Sequence, residues 1–596
     1  MRKLLLTLCV SVAAVAAAPT HAASQSTLRI LIDHIGYDAR GAKKLVVQTT
    51  GLPVPPRFEL LDERGKIVFQ GTLSKAEAVD AWHAGSFARG DFSAYQEPGH
   101  YWARLETAGK TVVSEPIQIM GNALIQPAVS DLLAFLKTQR ASGEFDAFDR
   151  SVPVFGEPQR HVDAHGGWYD ASGDVSKYLS HLSYANFMNP QQTPMVVWSL
   201  LASESLLRKS KEPYFSGLVK RMTEEALYGA DFLVRMQHES GYFYLTVFDG
   251  WSEAPSKREI CAYKTQEGVR NGDYRAAFRE GGGVAIAALA RASTLKLHGE
   301  YPSARYLAAA KLGFAHLTQN NLQYDDDHQE NIIDDYTALL AASELYAATK
   351  SGSYLDSARK RSAALIARLH RDTRYGGFWR ADATGERPFF HAVDAGLPVI
   401  ALLRYAALET DSPLRQRALE AIHESLTFEL QLTHEVANPF GYGRQYVKAL
   451  NGPKHSAFFI PHENESGYWW QGENARLASL AAAALAAAQV LPTGKPELTT
   501  YAVDQLDWIF GLNPFDVCFL HGRGRNNAEY VPETPNLPGG ICNGVTAGYT
   551  EEHGIAFLPE PFAHDPEQNW RWSEQWLPHV AWAILALSEQ HATLNP

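Results

Sequence analysis

Two groups of acidic residues lie near opposite ends of this chain, each set among aromatic residues. The first contains Asp170 and Asp174 in the segment 168–174, and the second contains Glu574 in the segment 569–574. Tryptophan and tyrosine faces pack against sugar rings, and two carboxyl groups can supply the acid and the base that cleave a glycosidic bond. We therefore predict that the two groups form one active site that hydrolyses glycosidic bonds.

Three motifs, taken in order, resemble the catalytic region of glycoside hydrolase family 9. They are Gly166-Gly167-Trp168-Tyr169-Asp170 followed by Lys177-Tyr178, then Gly511-Leu512-Asn513-Pro514, then the segment around Glu574. Residues 28–101 are similar to the immunoglobulin-like module that precedes many such domains. A single pair of aspartates is weak evidence because turns use Asp often, whereas three motifs in the family's order are a specific signal.

The resemblance implies an inverting mechanism with a role for each carboxyl group. Glu574 is expected to be the general acid, Asp174 the base, and Asp170 its partner in orienting the water. The family's DAGD segment is one residue longer here, as residues 170–174, which leaves open which aspartate is the base. We expect Glu574 to start the last helix, where the helix dipole favours its charged form, and neighbouring tryptophans to raise its pKa by desolvation instead.

Substrate contacts are expected from aromatic and charged residues near these motifs. The predicted substrate-binding residues are Trp168, Tyr169, Trp469, Trp470, Glu473, Asp516, His521, Arg523, Trp570 and Trp572. Residues 521–527 differ from the His-His-Arg segment of the family's cellulases, and the surroundings of Glu574 resemble the family's exo-acting branch.

That departure favours an exo-acting β-glucosaminidase that cleaves β-1,4 linkages in oligosaccharides or polysaccharides of glucose or glucosamine. In this reading Asp516, Glu465 or Glu473 would bind a substrate ammonium group. An endo-β-1,4-glucanase, that is a cellulase, is the alternative. A noncatalytic sugar-binding protein is the second alternative.

Two regions with different hydrophobic periods must position these residues. Residues 24–121 contain short alternating segments between Gly, Pro and Asp turns, which predicts an immunoglobulin-like β-sandwich. Residues 122–596 have a helical period with about twelve helical stretches, which predicts a mainly α catalytic domain, and the resemblance implies an (α/α)6 toroid. The clearest predicted helices are 334–350, 354–370 and 476–491. Long loops, which usually carry function, cover 152–189, 242–283, 437–470 and 512–572.

The amino terminus and the composition limit location and partners. Residues 1–23 have a basic tip, an apolar run and small residues before the cleavage point, which indicates a signal peptide and a secreted or periplasmic protein. No later apolar run is long enough to span a bilayer. The net charge of −12 argues against binding to nucleic acid, and the sequence indicates no protein partner.

No cofactor or metal is required by the predicted chemistry. A structural calcium ion at the acidic run 325–327 is an open alternative to a solvated loop. Cys518 and Cys542 flank a stretch rich in Gly, Pro and Asn. They either form a disulfide or remain buried thiols.

Overall fold

The computed structural model describes residues 26–107, 109–467, 470–532 and 534–595. The predicted signal peptide, residues 1–23, and Trp469 lie outside these ranges. Within them the chain forms fourteen α-helices and twenty-four short strands.

The amino-terminal region is built from ten strands in two sheets. The strands are β1 Thr27–Leu31, β2 Tyr37–Asp38, β3 Lys44–Thr50, β4 Arg57–Leu61, β5 Ile67–Thr72, β6 Glu77–Ala78, β7 Ser86–Asp91, β8 Gly99–Thr107, β9 Lys110–Val113 and β10 Ile117–Met120. One sheet has the order β1-β3-β7-β6, and the other has the order β2-β10-β8-β4-β5 with β9 beside β8. Alternate residues such as Ile30, Val47 and Phe58 fill a core of their own. The prediction of a β-rich amino-terminal domain is confirmed.

Strand β3 is buried on both faces because the sandwich packs on the helical part of the chain. Leu45 and Val47 belong to the sandwich core, whereas Val46 belongs to the core of the helical part. Beside them the buried Lys44 ammonium donates to the Phe440 carbonyl at 2.7 Å and pairs with Asp504. The sandwich is thus fixed to the helices by apolar packing and by a buried ion pair.

The rest of the chain is mainly helical. The helices are α1 Ile125–Thr138, α2 Gly143–Asp149, α3 Thr193–Leu207, α4 Pro213–Arg235, α5 Gly283–Ala292, α6 Ser303–Tyr324, α7 Ile332–Thr349, α8 Gly352–Ile366, α9 Leu397–Ala406, α10 Ser412–His434, α11 Asn474–Ala488, α12 Lys495–Ile509, α13 Pro566–Ser573 and α14 Leu577–Leu594. Helices α3, α5, α7, α9, α11 and α14 pack in succession, and α14 packs again on α3. Helices α1, α4, α6, α8, α10 and α12 each pack against members of that set. The inner helices are apolar on nearly every side, as expected for helices surrounded by protein.

Helix boundaries follow the sequence signals closely where a breaker residue is present. The predicted helices 334–350 and 476–491 are α7 and α11, and the predicted helix 354–370 is α8, which ends at Ile366. Helix α12 ends before Gly511, whose φ of +125° favours glycine. A side chain at this position would also collide with the His34 imidazole of the sandwich. The glycine therefore ends the helix and permits close approach of the two domains.

The remaining strands lie in the long connections between helices. They are β11 Val152–Val154, β12 Glu157–Val162, β13 Lys177–Tyr178, β14 Phe243–Tyr244, β15 Thr246–Phe248, β16 Glu259–Lys264, β17 Val269–Asn271, β18 Arg275–Ala276, β19 Leu369–Arg371, β20 Gly376–Trp379, β21 Gln445–Lys448, β22 Lys454–Ala457, β23 Thr546–Ala547 and β24 Ile555–Ala556. The sheet β12-β11-β16-β15-β13 joins the loop that contains Asp170 to the loop that contains Trp251. Over the part of the chain that the structure describes, every helix is too short or too polar to cross a bilayer.

Candidate active site

The two acidic segments are hydrogen-bonded to each other along the backbone. Ser172 N–H donates to the Gln575 carbonyl at 2.9 Å, and Gln575 N–H donates to the Ser172 hydroxyl at 2.9 Å. Leu577 N–H donates to the Asp170 carbonyl at 3.1 Å. These bonds join segments that lie far apart in sequence and place Glu574 beside the aspartate turn.

Asp170 is held by a donor on each carboxylate oxygen. Gln192 Nε2 donates to Oδ1 at 2.5 Å, and Trp576 Nε1 donates to Oδ2 at 2.8 Å. Gln192 is fully buried, and Asp170 is also buried. Because each oxygen accepts an N–H donor, the orientation of this carboxyl group is fixed.

Asp174 accepts hydrogen bonds on both oxygens but remains partly open to the cleft. Ser176 N–H donates to Oδ1 at 2.8 Å, and Tyr178 OH and Trp251 Nε1 donate to Oδ2 at 2.7 and 3.1 Å. Burial, followed by the charge of Asp170, raises the pKa of Asp174 to about 6. A carboxyl group with this pKa can act as a base near neutral pH.

Glu574 lies in an extended conformation between two helices, and this corrects the expected helix start. Helix α13 ends at Ser573 and α14 begins at Leu577, so Glu574 follows a helix carboxyl terminus. The negative end of that helix dipole disfavours the charged carboxylate, in the same direction as burial. Burial, followed by the charges of Asp174 and Asp170, raises the pKa of Glu574 well above its ordinary value. Such a group holds a proton to donate.

The three carboxyl groups line one cleft with a cavity volume of about 270 Å³. Its aromatic lining consists of Trp251, Tyr263, Tyr530, Trp570 and Trp576, and His181, Gln266 and Gln471 add polar groups. Gly173 also lines the cleft, and a Cβ at this position would be 3.1 Å from Glu574 Oε1 and 2.7 Å from the Tyr530 ring. The cleft therefore offers carboxyl groups and aromatic faces to one bound sugar chain.

A sequence profile described as glycosyl hydrolase family 9 matches residues 126–535. The chain belongs to glycosyl hydrolase family 9. A second profile, described as the cellulase N-terminal ig-like domain, matches residues 25–110. Both the family and its amino-terminal module are as the motifs predicted, and the chain is an inverting glycoside hydrolase. The profile match contains Asp170 and Asp174 but ends before Glu574, which lines the same cleft as these two aspartates.

Known relatives extend along nearly the whole chain at low identity. A xyloglucan-specific endo-beta-1,4-glucanase from Bacteroides ovatus is 23% identical over 539 residues, which cover 84% of this chain and 81% of that protein. The structure of a metagenome-derived glycoside hydrolase family 9 endoglucanase is similar with a TM-score of 0.66 and 19% identity, over 95% of this chain and 99% of that one. A Bacteroides ovatus family 9 structure is similar with a TM-score of 0.64 and 19% identity, over 95% and 99% of the two chains. The structures show that the fold is shared.

Of the predicted substrate-binding tryptophans, the structure places Trp570 in the cleft of this family 9 enzyme. Trp168 and Trp572 are fully buried instead, and this corrects their assignment. Trp168 Nε1 donates to Glu225 at 2.8 Å, and Trp572 Nε1 donates to the Thr546 hydroxyl at 2.9 Å. These tryptophans belong to the core beneath the site.

Three other residues that were predicted to bind substrate lie outside the cleft lining, where they support the loops of the site. The Tyr169 hydroxyl donates to the Ser142 carbonyl at 3.2 Å. Trp470 stacks on His462 at a centroid distance of 3.9 Å. Glu473 is buried and accepts Gln445 Nε2 at 2.9 Å and Ile460 N–H at 2.8 Å.

The predicted residues after the Gly511 turn form ion pairs elsewhere and are absent from the described cleft lining. Asp516 pairs with Arg525 at 2.6 Å and with His34 at 3.0 Å, at the contact with the sandwich. Arg523 pairs with Asp131 at 2.6 Å. His521 contacts Glu529 at 3.2 Å. The prediction that these three bind substrate does not fit their positions.

Several residues of the cleft were missed by the sequence reasoning. Trp251, Tyr263 and Tyr530 line it and lie in loops that were predicted to carry function, but these loops hold many aromatic residues of equal appearance. Gln471 is buried, and within the described residues its Nε2 has no hydrogen-bond partner. Because Gln471 also lines the cleft, its unsatisfied amide is suited to a ligand oxygen. The only sequence signal for Gln471 was its place beside Trp470.

Residues 325–327, the acidic run considered as a calcium site, form ion pairs with an arginine. The buried Arg279 guanidinium lies 3.1 Å from Asp325 and 2.8 Å from Asp327. Among the described residues, the structure groups no three metal-ligating side chains suitable for an ion. Cys518 and Cys542 are buried free thiols in this structure.

Proposed function

We propose that this chain is an endo-β-1,4-glucanase in which Glu574 is the general acid, Asp174 is the base and Asp170 orients the water. The observation that carries this proposal is the hydrogen bonding between residues 170–172 and 575–577, which brings the three carboxyl groups to one cleft. The names of the relatives, a xyloglucan-specific endo-beta-1,4-glucanase and a family 9 endoglucanase, support the endo-acting choice.

The reaction needs one proton removed and one delivered. Asp174 takes a proton from water while the water oxygen attacks the anomeric carbon on the face opposite the leaving group. The bond from that carbon to the glycosidic oxygen breaks, its electron pair stays on the oxygen, and Glu574 protonates it. A β-linked substrate then gives an α-configured product. The raised pKa of each group, caused first by burial, suits its role.

Contacts to the substrate are assigned from the cleft lining. We propose that Trp570 and Tyr530 face the sugar rings and that Gln471 Nε2 donates to a sugar hydroxyl. Asp170 orients the water in this scheme, and Gln192 Nε2 and Trp576 Nε1 hold its carboxyl group in place.

The exo-acting β-glucosaminidase reading lacks support from the charged residues. Its three candidate partners for a substrate ammonium group are each bound to an arginine. Asp516 pairs with Arg525, Glu465 pairs with Arg387, and Glu473 pairs with Arg476. None of the three lines the described cleft. A glucan without amino groups is therefore the better substrate.

The arrangement of the helices and the location of the protein are also part of this proposal. The closed succession of the six inner helices and their six outer partners supports an (α/α)6 toroid. The residues 1–23 support secretion, with hydrolysis of an extracellular or periplasmic glucan.

The experiment compares soluble glucans, cello-oligosaccharides and glucosamine oligosaccharides, with the anomeric form of the first product followed by NMR. We expect α-anomers from cello-oligosaccharides, and a fall in glucan viscosity that precedes most of the release of reducing ends. Faster cleavage of the glucosamine series, or release of single sugars without a loss of viscosity, would reject the endoglucanase assignment. A β-anomer would reject the roles given to the carboxyl groups.

A further inference from the structure

Trp251 lines the cleft with an exposed side chain and a backbone conformation that is rare for tryptophan. Its side chain lines the cleft and is 41% exposed, whereas Trp168 and Trp572 are fully buried. Its backbone has φ of +52°, and Glu253, two residues on, has φ of +50°. Such values are costly for residues other than glycine and are retained where the surroundings enforce them.

A polar network enforces this backbone conformation. The buried Asp249 Oδ1 accepts Trp251 N–H at 3.1 Å and the Ser176 hydroxyl at 2.8 Å. Ser176 N–H in turn donates to Asp174 Oδ1 at 2.8 Å. Asp249 thus ties the loop of Trp251 to the loop of the proposed base.

The indole ring is held by aromatic edges. Phe248 and Tyr263 pack edge-to-face against it, with centroid distances of 5.0 and 5.5 Å. A Cβ on Gly268 would lie 2.7 Å from the indole ring, so glycine lets that loop close on it. The ring is therefore fixed on one side and open to the cleft on the other.

The indole N–H of Trp251 is hydrogen-bonded to Asp174. Trp251 Nε1 donates to Oδ2 at 3.1 Å, and this oxygen also accepts the Tyr178 hydroxyl. With Ser176 N–H on Oδ1, three of the about four lone-pair sites of the carboxylate are occupied. One site remains for the attacking water.

We propose that Trp251 has two roles in this enzyme: its N–H orients the Asp174 carboxylate towards the water, and its exposed face binds the sugar ring next to the scissile bond. This inference rests on the proposed role of Asp174 as the base. Two substitutions distinguish the two roles. Trp251→Phe keeps an aromatic face but removes the N–H donor, whereas Trp251→Ala removes both.

The pH profile provides a readout that a purely structural role would not move. Loss of a donor to the charged carboxylate favours its protonated form, so the acid limb of kcat/KM should move to higher pH in Trp251→Phe. The substitution leaves in place the other ionisable groups that lie around Asp174 or along its cleft. They are Asp170, Tyr178, His181, Asp249, Glu253, Tyr263, Tyr530 and Glu574.

For Trp251→Phe we expect kcat on cello-oligosaccharides to fall about tenfold with KM nearly unchanged, since a charged hydrogen bond is lost. For Trp251→Ala we expect KM to rise about tenfold as well, because the stacking face is lost. Trp102→Phe is the matched control: Trp102 is half-buried on strand β8 of the sandwich, and this variant should have wild-type kinetics.

Unchanged kcat and acid limb in a folded Trp251→Phe would overturn the orienting role, and unchanged KM in Trp251→Ala would overturn the binding role. Asp174→Asn distinguishes these failures from failure of the underlying assignment. An inactive Asp174→Asn with a normal Trp251→Phe rejects only the inference about Trp251. An active Asp174→Asn rejects the base assignment itself.

Discussion

Gly173 offers a sharp test of how closely the two acidic segments meet. Its backbone lies outside the left-handed region, so alanine can adopt the same conformation. An added Cβ, however, would lie 2.7 Å from the Tyr530 ring, 2.9 Å from the Tyr530 hydroxyl and 3.1 Å from Glu574 Oε1. One methyl group must therefore displace either the wall of the cleft or the proposed acid.

The size of this effect follows from the cost of overpacking. An extra methyl group in a packed site costs about 1 to 3 kcal/mol, and a cost borne by the transition state would lower kcat/KM between about fivefold and a hundredfold. We expect Gly173→Ala to show such a loss on cello-oligosaccharides, with a melting temperature close to that of the wild type, because Tyr530 is only half-buried and can move.

The matched control is Gly217→Ala in α4, where an added Cβ meets nothing within 4 Å. It should keep wild-type kinetics and gain up to about 1 kcal/mol of stability, since alanine favours helix. The double variant Gly173→Ala/Tyr530→Ala, compared with Tyr530→Ala alone, identifies which side moves: equal kcat in these two variants indicates a displaced tyrosine, and a lower kcat in the double variant indicates a displaced Glu574. A folded Gly173→Ala with unchanged kcat/KM would refute the close approach of the two segments.

Two further predictions concern pH and the domain contact. The pH profile of kcat/KM should be bell-shaped: it falls below about pH 6 as Asp174 binds a proton, and falls again at high pH as Glu574 loses its proton. Activity that stays constant well below that pH would contradict the base assignment. Lys44→Met should lower the free energy of unfolding in urea by about 3 to 5 kcal/mol, because Asp504 is left buried without its main partner. Exposed Lys66→Met is the control, and equal stabilities of the two variants would show that the buried pair contributes little.

The sequence predicted those parts of the fold that local periodicity and breakers determine. The helices α7 and α11 follow their apolar pattern, and Gly511 marks the end of α12. The short helix α13 was missed, since its eight residues lie within a long loop rich in Gly, Pro and Asn. Its presence reverses the dipole that Glu574 experiences, and no periodic signal in so short a segment could have revealed it.

The carboxyl groups of the site were predictable because their order along the chain is that of a family motif. The residues that contact the substrate were less predictable. Trp570 and Trp572 are two residues apart in one segment, yet one faces the cleft and the other is fully buried. Trp251 had no motif at all and reaches Asp174 only through a loop conformation that tertiary contacts enforce. Which aromatic residue meets a ligand is decided by packing between distant segments.

The most direct test of the account is the activity of Glu574→Gln on two substrates with different leaving groups. A cello-oligosaccharide needs a proton on its departing oxygen, whereas dinitrophenyl β-cellobioside has a leaving group that departs without one. If Glu574 is the acid facing Asp170 and Asp174, the variant should lose about a hundredfold to ten-thousandfold in kcat on the oligosaccharide and far less on the aryl glycoside. An equal loss on both substrates, or no loss on either, would contradict the assignment.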